Sequence, residues 1–312
     1  MGELTFFMLV DVFTFDKIIS MKSFPFTHEL GWSVSRYDTF YSCKRKYYYG
    51  YYGKYDHEFE WSKISTLKSL TSVPLEIGNI AHDVMEMLLK RLVKSSDPID
   101  KERLKTYVRN LSIEYIGKKQ FIEVYYNEKN SIDEESIIQT VWQCVMNVVD
   151  SERFEWIRQL PQDSKDRWII EPPGFGETRI EDMKAYCKVD FMLPFGRDIY
   201  ILDWKTGKED PEKHRKQLIG YSLFAKYHFE NNFEFIHTIV CYIKEGFVEK
   251  SPNISKEDVY QFIDTVRSET SEMKAFNVDT ERNTPKPKSE FEMTTDISKC
   301  RFCEYRELCD RK

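Results

Sequence analysis

One stretch of the chain, residues 186–208, constrains the fold more than any other. It reads YCKVDFMLPFGRDIYILDWKTGK. Two apolar runs rich in aromatic and β-branched residues, Tyr186–Leu193 and Ile199–Trp204, flank a Pro-Phe-Gly-Arg-Asp break. Runs of that length around such a break predict a β-hairpin. We therefore expect a sheet built around this hairpin.

The predicted hairpin carries three charged residues that suggest chemistry. Asp190 lies in the first strand, Asp203 near the end of the second, and Lys205 two positions further on. Because side chains alternate along a strand, Asp203 and Lys205 should leave the same face. Two carboxylates from neighbouring strands form the hard oxygen site that Mg²⁺ or Mn²⁺ prefers. A lysine beside them could orient a metal-activated water or stabilise transition-state charge.

The alternative interpretation is a surface hairpin with two solvated aspartates and an incidental lysine. Short motifs recur by chance, so the D-x-K spacing taken alone favours this alternative. The functional interpretation therefore depends on whether other parts of the sequence contain motifs that fit the same chemistry.

Two further segments predict helices with polar pairs on one face. Apolar residues at helical spacing predict a helix over residues 76–94, in which Gly78 and His82 are one turn apart. His82 could be a metal ligand, although a lone helical histidine is more often structural. Residues 217–229 predict a second helix, in which Gln217 and Tyr221 share a face. This pair could hold a base, a phosphate or a water, or be a plain polar stripe.

The N-terminal third contains a cysteine inside an aromatic and cationic segment. Ser35 is a candidate N-cap for a helix over Tyr37–Tyr48, which includes Cys43. Taken alone, Cys43 is best explained as a small buried hydrophobe. The tyrosines that follow it could form a base-stacking platform. Packing in the core is the favoured interpretation for them.

Three further cysteines close the chain. Cys300, Cys303 and Cys309 have the spacing C-x₂-C-x₅-C, which brings three thiols to one compact loop and predicts a metal centre. A tetrahedral site needs a fourth ligand, for which Cys43 is the leading candidate. Zinc bound by four cysteines and an iron–sulfur cluster both fit this pattern, and the spacing does not separate them.

Composition excludes several classes of protein. With 41% hydrophobic and 31% charged residues among 312, the chain has a soluble globular composition. Its net charge of −6 argues against a protein that coats duplex DNA. We find no run of about 20 apolar residues, so no transmembrane helix and no membrane partner are expected.

Cysteine usage and the N-terminus predict the compartment. The seven cysteines are unevenly placed, which predicts a reducing, intracellular and cytoplasmic context. The apolar N-terminus lacks a basic region and is interrupted by Asp11, so we expect a packed arm or extra strand there rather than a signal peptide.

Taken together, these pieces resemble the RecB-like branch of the PD-(D/E)xK nucleases. The likeness is greatest to members with a [4Fe–4S] cluster, such as the CRISPR-associated iron–sulfur exonucleases. The matching pieces, in family order, are S-x-S before Cys43, Gly78-x₃-His82, Val189-Asp190, Asp203-Trp204-Lys205-Thr206-Gly207, Gln217-x₃-Tyr221 and the terminal cysteine loop.

The resemblance implies an α/β fold with a mixed central sheet flanked by helices, in the order αβββαβ. It implies that His82, Asp190, Asp203 and the backbone carbonyl of Trp204 bind Mg²⁺ or Mn²⁺. Lys205 would be the catalytic lysine, and Gln217 and Tyr221 would lie on the substrate-side helix. The four cysteines Cys43, Cys300, Cys303 and Cys309 would hold the cluster, with zinc as the alternative. Such a cluster would hold distant segments of the chain together, so its role would be structural rather than catalytic.

The resemblance also divides the chain into parts. Residues 1–30 would form an N-terminal arm, and residues 31–94 would carry the first cluster ligand and the active-site helix. Residues 95–165, predicted helical at 101–118 and 134–160, would be an insertion. Residues 166–250 would be the nuclease core, and residues 251–312 would supply a C-terminal helix, a linker and the cluster loop.

The function that follows is a metal-dependent deoxyribonuclease, an exonuclease acting on single-stranded DNA or DNA ends. Two other hypotheses stay open. The chain could be a DNA-end-binding subunit of a helicase, repair, CRISPR-adaptation or defence complex, with conditional or no nuclease activity. It could also be a site-specific endonuclease of restriction type.

Overall fold

The computed structural model describes residues 21–172, 174–229 and 232–311. The N-terminal arm predicted for residues 1–30 lies outside this description up to residue 20.

In the described ranges, the helices α1–α9 precede the first strand, and α10 and α11 lie between later strands. The α-helices are α1 (Val34–Ser42), α2 (Lys44–Tyr52), α3 (Trp61–Lys68), α4 (Val73–Lys94), α5 (Lys101–Lys118), α6 (Ile122–Tyr125), α7 (Glu134–Val149), α8 (Glu152–Gln159), α9 (Gln162–Lys165), α10 (Pro211–Phe229) and α11 (Lys256–Lys274). The strands are β1 (Ile169–Ile170), β2 (Glu177–Ile180), β3 (Met183–Tyr186), β4 (Phe191–Phe195), β5 (Asp198–Lys205), β6 (Ile236–Tyr242), β7 (Val248–Lys250), β8 (Asn277–Asp279) and β9 (Thr284–Pro285).

A five-stranded mixed sheet lies at the centre, in the order β1-β4-β5-β6-β7. Only the β5–β6 pair is parallel among the neighbouring pairs of this sheet, and α10 makes the crossover between those two strands. The elements α4, β1, β4, β5, α10 and β6 follow the order αβββαβ. A mixed sheet flanked by helices confirms the predicted fold class.

Side-chain alternation along β5 decides which layer each residue faces. Leu202 and Trp204 pack in the core that α4, α5, α7 and α8 form on one side. Ile199 and Ile201 pack in the core on the other side, together with residues of α10. By the same alternation Asp203 and Lys205 lie on the α10 side, at the end of the strand. The buried aliphatic neighbours, each worth about 1.5–3 kcal/mol, fix this register.

A third core joins the helices α1–α3 to the C-terminal part of the described residues. It contains residues of α1–α3, α11 and the C-terminal segment, including Trp32, Phe291 and Tyr305. Of the tyrosines that follow Cys43, four are buried in this core: Tyr47, Tyr48, Tyr49 and Tyr52. Packing in the core is therefore the correct interpretation for these four.

The first strand of the predicted hairpin is shifted in the structure. The prediction of a strand over Tyr186–Leu193 is wrong, because β3 ends at Tyr186 and β4 begins at Phe191. Strand β3 pairs with β2, not with β5. Between the two strands, the Cys187 N–H bonds to the Gly176 carbonyl at 2.9 Å. Asp190 consequently precedes β4 instead of lying within a strand.

Two predicted helices are each divided into two. The helix predicted over Tyr37–Tyr48 is broken at Cys43, whose backbone is extended and whose thiol accepts from the Lys46 N–H as the cap of α2. Ser33, not Ser35, caps α1. The helix predicted over residues 134–160 is broken at Asp150 and Ser151, since the Ser151 hydroxyl caps α8.

The described residues contain no helix that is long and apolar enough to cross a membrane. The division of the chain into five parts stays a prediction.

The loop before β2 generates a stability prediction. Gly176 has φ +68°, and a Cβ there would lie 2.0 Å from the Cys187 carbonyl oxygen. Gly196, in the β4–β5 turn, has φ +59° with nothing within 4 Å of a Cβ. We expect Gly196→Ala to lower the free energy of unfolding by about 1–2 kcal/mol, because of backbone strain alone. Gly176→Ala should cost a further 1–3 kcal/mol or so from overpacking.

Urea unfolding followed by circular dichroism measures both free energies of unfolding. Because the two glycines share a left-handed backbone, Gly196→Ala is the matched control. Equal costs for the two variants would contradict the packing of the loop against Cys187.

Candidate active site

Four of the sequence-predicted side chains meet at one end of the sheet. His82 comes from α4, Asp190 from the segment before β4, and Asp203 and Lys205 from β5. All four line one cavity of about 1210 Å³. Residues that are distant in the chain are therefore neighbours in space.

Asp190 is held by two donors. Its Oδ1 lies 3.2 Å from His82 Nδ1, and its Oδ2 accepts from the Trp204 N–H at 2.8 Å. Burial alone would raise the pKa of Asp190, but the charges of His82 and Lys205 and these hydrogen bonds hold it below its usual value. Burial lowers the pKa of His82, but the charge and hydrogen bond of Asp190 and the charge of Asp203 together outweigh burial, so that this pKa is raised. When the His82 imidazole is protonated, it forms an ion pair with Asp190.

Asp203 is 2% exposed and has two partners of its own. The Lys205 Nζ lies 2.6 Å from its Oδ2, and the Tyr221 hydroxyl is 3.0 Å from its Oδ1. Burial and the neighbouring Asp190 charge raise the pKa of Asp203 to about 6, against the opposing effects of Lys205 and Tyr221. The pKa of Asp190 is thus lowered and that of Asp203 raised, and neighbouring carboxyls with such different pKa values are frequent in active sites.

Gly78 explains how α4 comes so close to the end of β5. A Cβ on Gly78 would lie 3.2 Å from the Thr206 Oγ1. With a larger residue at this position, Thr206, which follows the D-W-K motif, would have to move away from the helix by a few tenths of an ångström. The same approach brings His82, one turn later, over Asp190.

Gln217 lies on α10 with Tyr221 and lines the same cavity. Its Oε1 is buried and has no hydrogen-bond partner in the described part of the chain. A buried amide oxygen without a partner costs free energy, so it is a feature that calls for explanation.

The cavity also contains residues that the sequence reasoning did not single out. Among these are Asn79 and Asp83 on α4, Lys188 and Glu171. Glu171 has φ +46°, and its N–H bonds to the Asp190 carbonyl at 3.1 Å. Asn79 and Asp83 fall on the Gly78 and His82 side of a predicted helix, so periodicity could have found them. No local pattern identifies Glu171 or Lys188.

The four predicted cluster cysteines line a second, small cavity. Cys43 lies between α1 and α2. Cys300 and Cys309 lie in the short 3₁₀ turns Ile297–Phe302 and Arg306–Cys309, and Cys303 follows the first of these turns. Cationic groups surround them, and the Arg311 Nη1 donates to the Cys300 Sγ at 3.4 Å. Burial raises the pKa of the Cys303 thiol to about 12. A thiolate there would need a strong positive charge beside it.

As the side chains stand, no group of three or more His, Cys, Asp or Glu in the described ranges is arranged to hold a metal ion. At the acidic site, each oxygen of Asp190 and Asp203 faces a protein donor. Each carboxylate oxygen has a second lone pair, and the His82 and Lys205 side chains can rotate away.

A family model described as the PD-(D/E)XK nuclease superfamily matches residues 31–310. The chain therefore belongs to the PD-(D/E)XK nuclease superfamily. This confirms the resemblance at the level of the superfamily. The RecB-like branch stays a prediction.

The other comparisons add little. A solved chain described as "Crystal structure of SSO0001" is 14% identical, and the alignment covers 73% of this chain and 97% of that chain with a TM-score of 0.29. No curated protein matches the chain.

Proposed function

We propose that this protein is a metal-dependent DNA nuclease that hydrolyses phosphodiester bonds as an exonuclease on single-stranded ends. One observation carries the proposal. In a chain of this superfamily, an imidazole, two carboxylates and a lysine converge in one cavity from α4, β5 and the segment before β4.

The donor set fits a hard divalent cation. His82 Nδ1, the two aspartates and the backbone carbonyl of Trp204 would hold Mg²⁺ or Mn²⁺, in place of the His82–Asp190 and Lys205–Asp203 contacts. When bound, the ion supplies Lewis-acid polarisation of a phosphoryl oxygen and lowers the pKa of a bound water. It also gives a net-negative site an attraction for phosphate.

The remaining groups have separate tasks. Lys205, released from Asp203, orients the attacking water and stabilises charge that develops on the phosphoryl oxygens. Tyr221 donates to Asp203 and fixes the rotamer of that carboxylate. The Gln217 amide, with its unpaired Oε1, faces the substrate and gains a partner when a nucleotide or its water binds.

Size supports a polymeric substrate. Pockets for small molecules usually measure about 300–1,000 Å³, and this cavity of about 1210 Å³ exceeds that range. An open groove of this kind suits a strand of several nucleotides. The net charge of −6 further favours local recognition of a strand over coating of a duplex.

We also propose that the protein belongs to the RecB-like branch and that its four cysteines hold a [4Fe–4S] cluster, with zinc as the alternative. The four thiols share one cavity, and they join the start of α2 to the C-terminal turns. Metal–thiolate bonds there would contribute to folding rather than to hydrolysis.

Substitution of the catalytic pair tests the proposal. We expect Asp203→Asn and Lys205→Ala each to slow cleavage of end-labelled single-stranded DNA about 10²-fold or more, because each removes a group that acts on the transition state. Gel electrophoresis over a time course with Mg²⁺ or Mn²⁺ gives the rates.

Asp198→Asn is the matched control, since Asp198 lies at the other end of β5 and pairs with His237 at 2.8 Å. It should cleave like the parent. Cleavage at parental rates by both Asp203→Asn and Lys205→Ala would refute the proposal. Cleavage of circular single-stranded DNA, which has no ends, would show that the protein is an endonuclease rather than an exonuclease. No cleavage by the parent with any partner would favour an end-binding subunit.

The cysteine site has its own test. Protein purified without oxygen should be brown, with absorbance near roughly 400 nm from cysteine-ligated iron. Cys309→Ser should lose iron and colour, whereas Cys144→Ala, a change to a buried cysteine of α7, should keep both. Colourless protein with bound zinc would overturn the iron–sulfur proposal and leave the nuclease proposal intact.

A further inference from the structure

The cavity has a second wall that the proposed hydrolysis does not use. Helices α1–α3 and the residues just before α1 contribute Ser33, Ser35, Arg36, Tyr51 and Lys68 to the lining. This wall therefore brings two cations and no carboxylate. The acidic residues that line the cavity all come from α4 or later: Asp83, Glu171, Asp190 and Asp203. A polyanion would find its attraction on the α1–α3 wall even before a metal ion binds.

Tyr51 differs from its neighbours in the tyrosine cluster. The flanking Tyr49 and Tyr52 are buried, whereas Tyr51 is 42% exposed and lines the cavity. Single exposed aromatic side chains are common on protein surfaces. Tyr51 is of interest because it is exposed and also lines the nuclease cavity.

Two side chains, Tyr47 and Arg36, contact the ring of Tyr51. Its centroid lies 4.7 Å from that of the buried Tyr47, and the Arg36 guanidinium lies 4.3 Å from the Tyr51 centroid. Arg36 is fixed in turn, because its Nε donates to the Tyr47 hydroxyl and its Nη1 to the Gly31 carbonyl, both at 3.1 Å. A ring that is already ordered loses little entropy when a ligand stacks on it.

Lys68 supplies the second charge beside the ring. Its Nζ donates to the carbonyl of Gly50, the residue before Tyr51, at 2.6 Å. The side chain is exposed, so its ammonium keeps donors for a phosphate. We name Arg36, Tyr51 and Lys68 the tyrosine shelf.

We propose that the tyrosine shelf binds one unpaired base of the substrate strand by stacking on Tyr51, while Arg36 and Lys68 attract the adjacent phosphates. The inference rests on the proposed function, since it takes the strand in the cavity to be the nuclease substrate. Bases inside a duplex are paired and already stacked, so only an unpaired or terminal base can offer its face. The shelf therefore selects single strands and holds them beside the acidic site without reading sequence.

The test measures binding apart from cleavage. A short single-stranded oligonucleotide, labelled at one end, is titrated with protein in EDTA and followed by fluorescence anisotropy. Tyr51→Ala should raise Kd about 5- to 150-fold, the loss expected for one base–aromatic stack. Tyr51→Phe, which keeps the ring, and Tyr41→Ala, which removes an exposed tyrosine of α1 outside the cavity lining, should bind like the parent.

An abasic scan identifies the base that stacks. With the parent, removal of one base along the strand should weaken binding by the same factor as Tyr51→Ala. With Tyr51→Ala, removal of that base should cost nothing more, because the two changes remove one interaction. Binding of Tyr51→Ala at the parental Kd, or equal sensitivity of parent and variant at every position, would overturn the inference. Should Tyr51→Ala fail to fold, the scan is run with Tyr51→Leu against Tyr51→Phe.

The two proposals fail separately. If the parent cleaves and Tyr51→Ala binds equally well, the shelf is wrong and the nuclease assignment stands. If the parent never cleaves but Tyr51→Ala loses binding at one base position, the shelf stands and the catalytic proposal falls.

Discussion

Two carboxyls of like charge, Asp190 and Asp203, are buried beside each other, and the rest of the structure is arranged to make this tolerable. Asp190 has His82 and the Trp204 N–H as partners, and Asp203 has Lys205 and Tyr221. Each partner comes from a different element or from the strand end itself, so α4, β5 and α10 must all pack correctly. Buried ionic groups seldom stabilise a fold more than apolar residues would. The geometry is therefore better explained by function than by stability.

The parallel β5–β6 pair and its crossover helix give this site its shape. Because β5 is buried on both faces, its alternation places Leu202 and Trp204 in one core and aims Asp203 and Lys205 at α10. Gly78 leaves room for Thr206, the residue after β5, to lie against α4. The pairing register of β5 therefore decides on which face of the sheet the site forms. A shift of one residue would place Asp203 and Lys205 on the opposite face of the sheet.

The N-terminal helices connect the cysteine site to the nuclease cavity. Cys43 caps α2 at one end, and Tyr51 lies near the other end of the same helix. The Tyr49 hydroxyl bonds to the Leu308 carbonyl at 3.4 Å, so α2 also packs on the C-terminal turns that carry the other cysteines. A metal held by the four thiols would fix α2, and with it the tyrosine shelf, relative to the acidic site.

Sequence reasoning predicted the helix that carries His82 and the common face of Asp203 and Lys205, because each follows from a strong local period. The fold class was implied by the resemblance to a known family. It failed where tertiary contacts overrule local pattern. The strand before Asp190 is interrupted because Cys187 bonds to Gly176, and the helix around Cys43 is broken by a cap. The exposure of Tyr51 among buried tyrosines depends on how α2 packs, which a run of identical residues cannot reveal.

Binding of Mn²⁺, followed by electron paramagnetic resonance of the free ion, tests the central claim most directly. The parent and Asp198→Asn should each bind one ion with equal affinity. Asp190→Asn and Asp203→Asn should each lose that ion, because both carboxylates share it. Unchanged Mn²⁺ binding by the two variants would show that these buried acids do not form a metal site, and the account given for the cavity would be wrong.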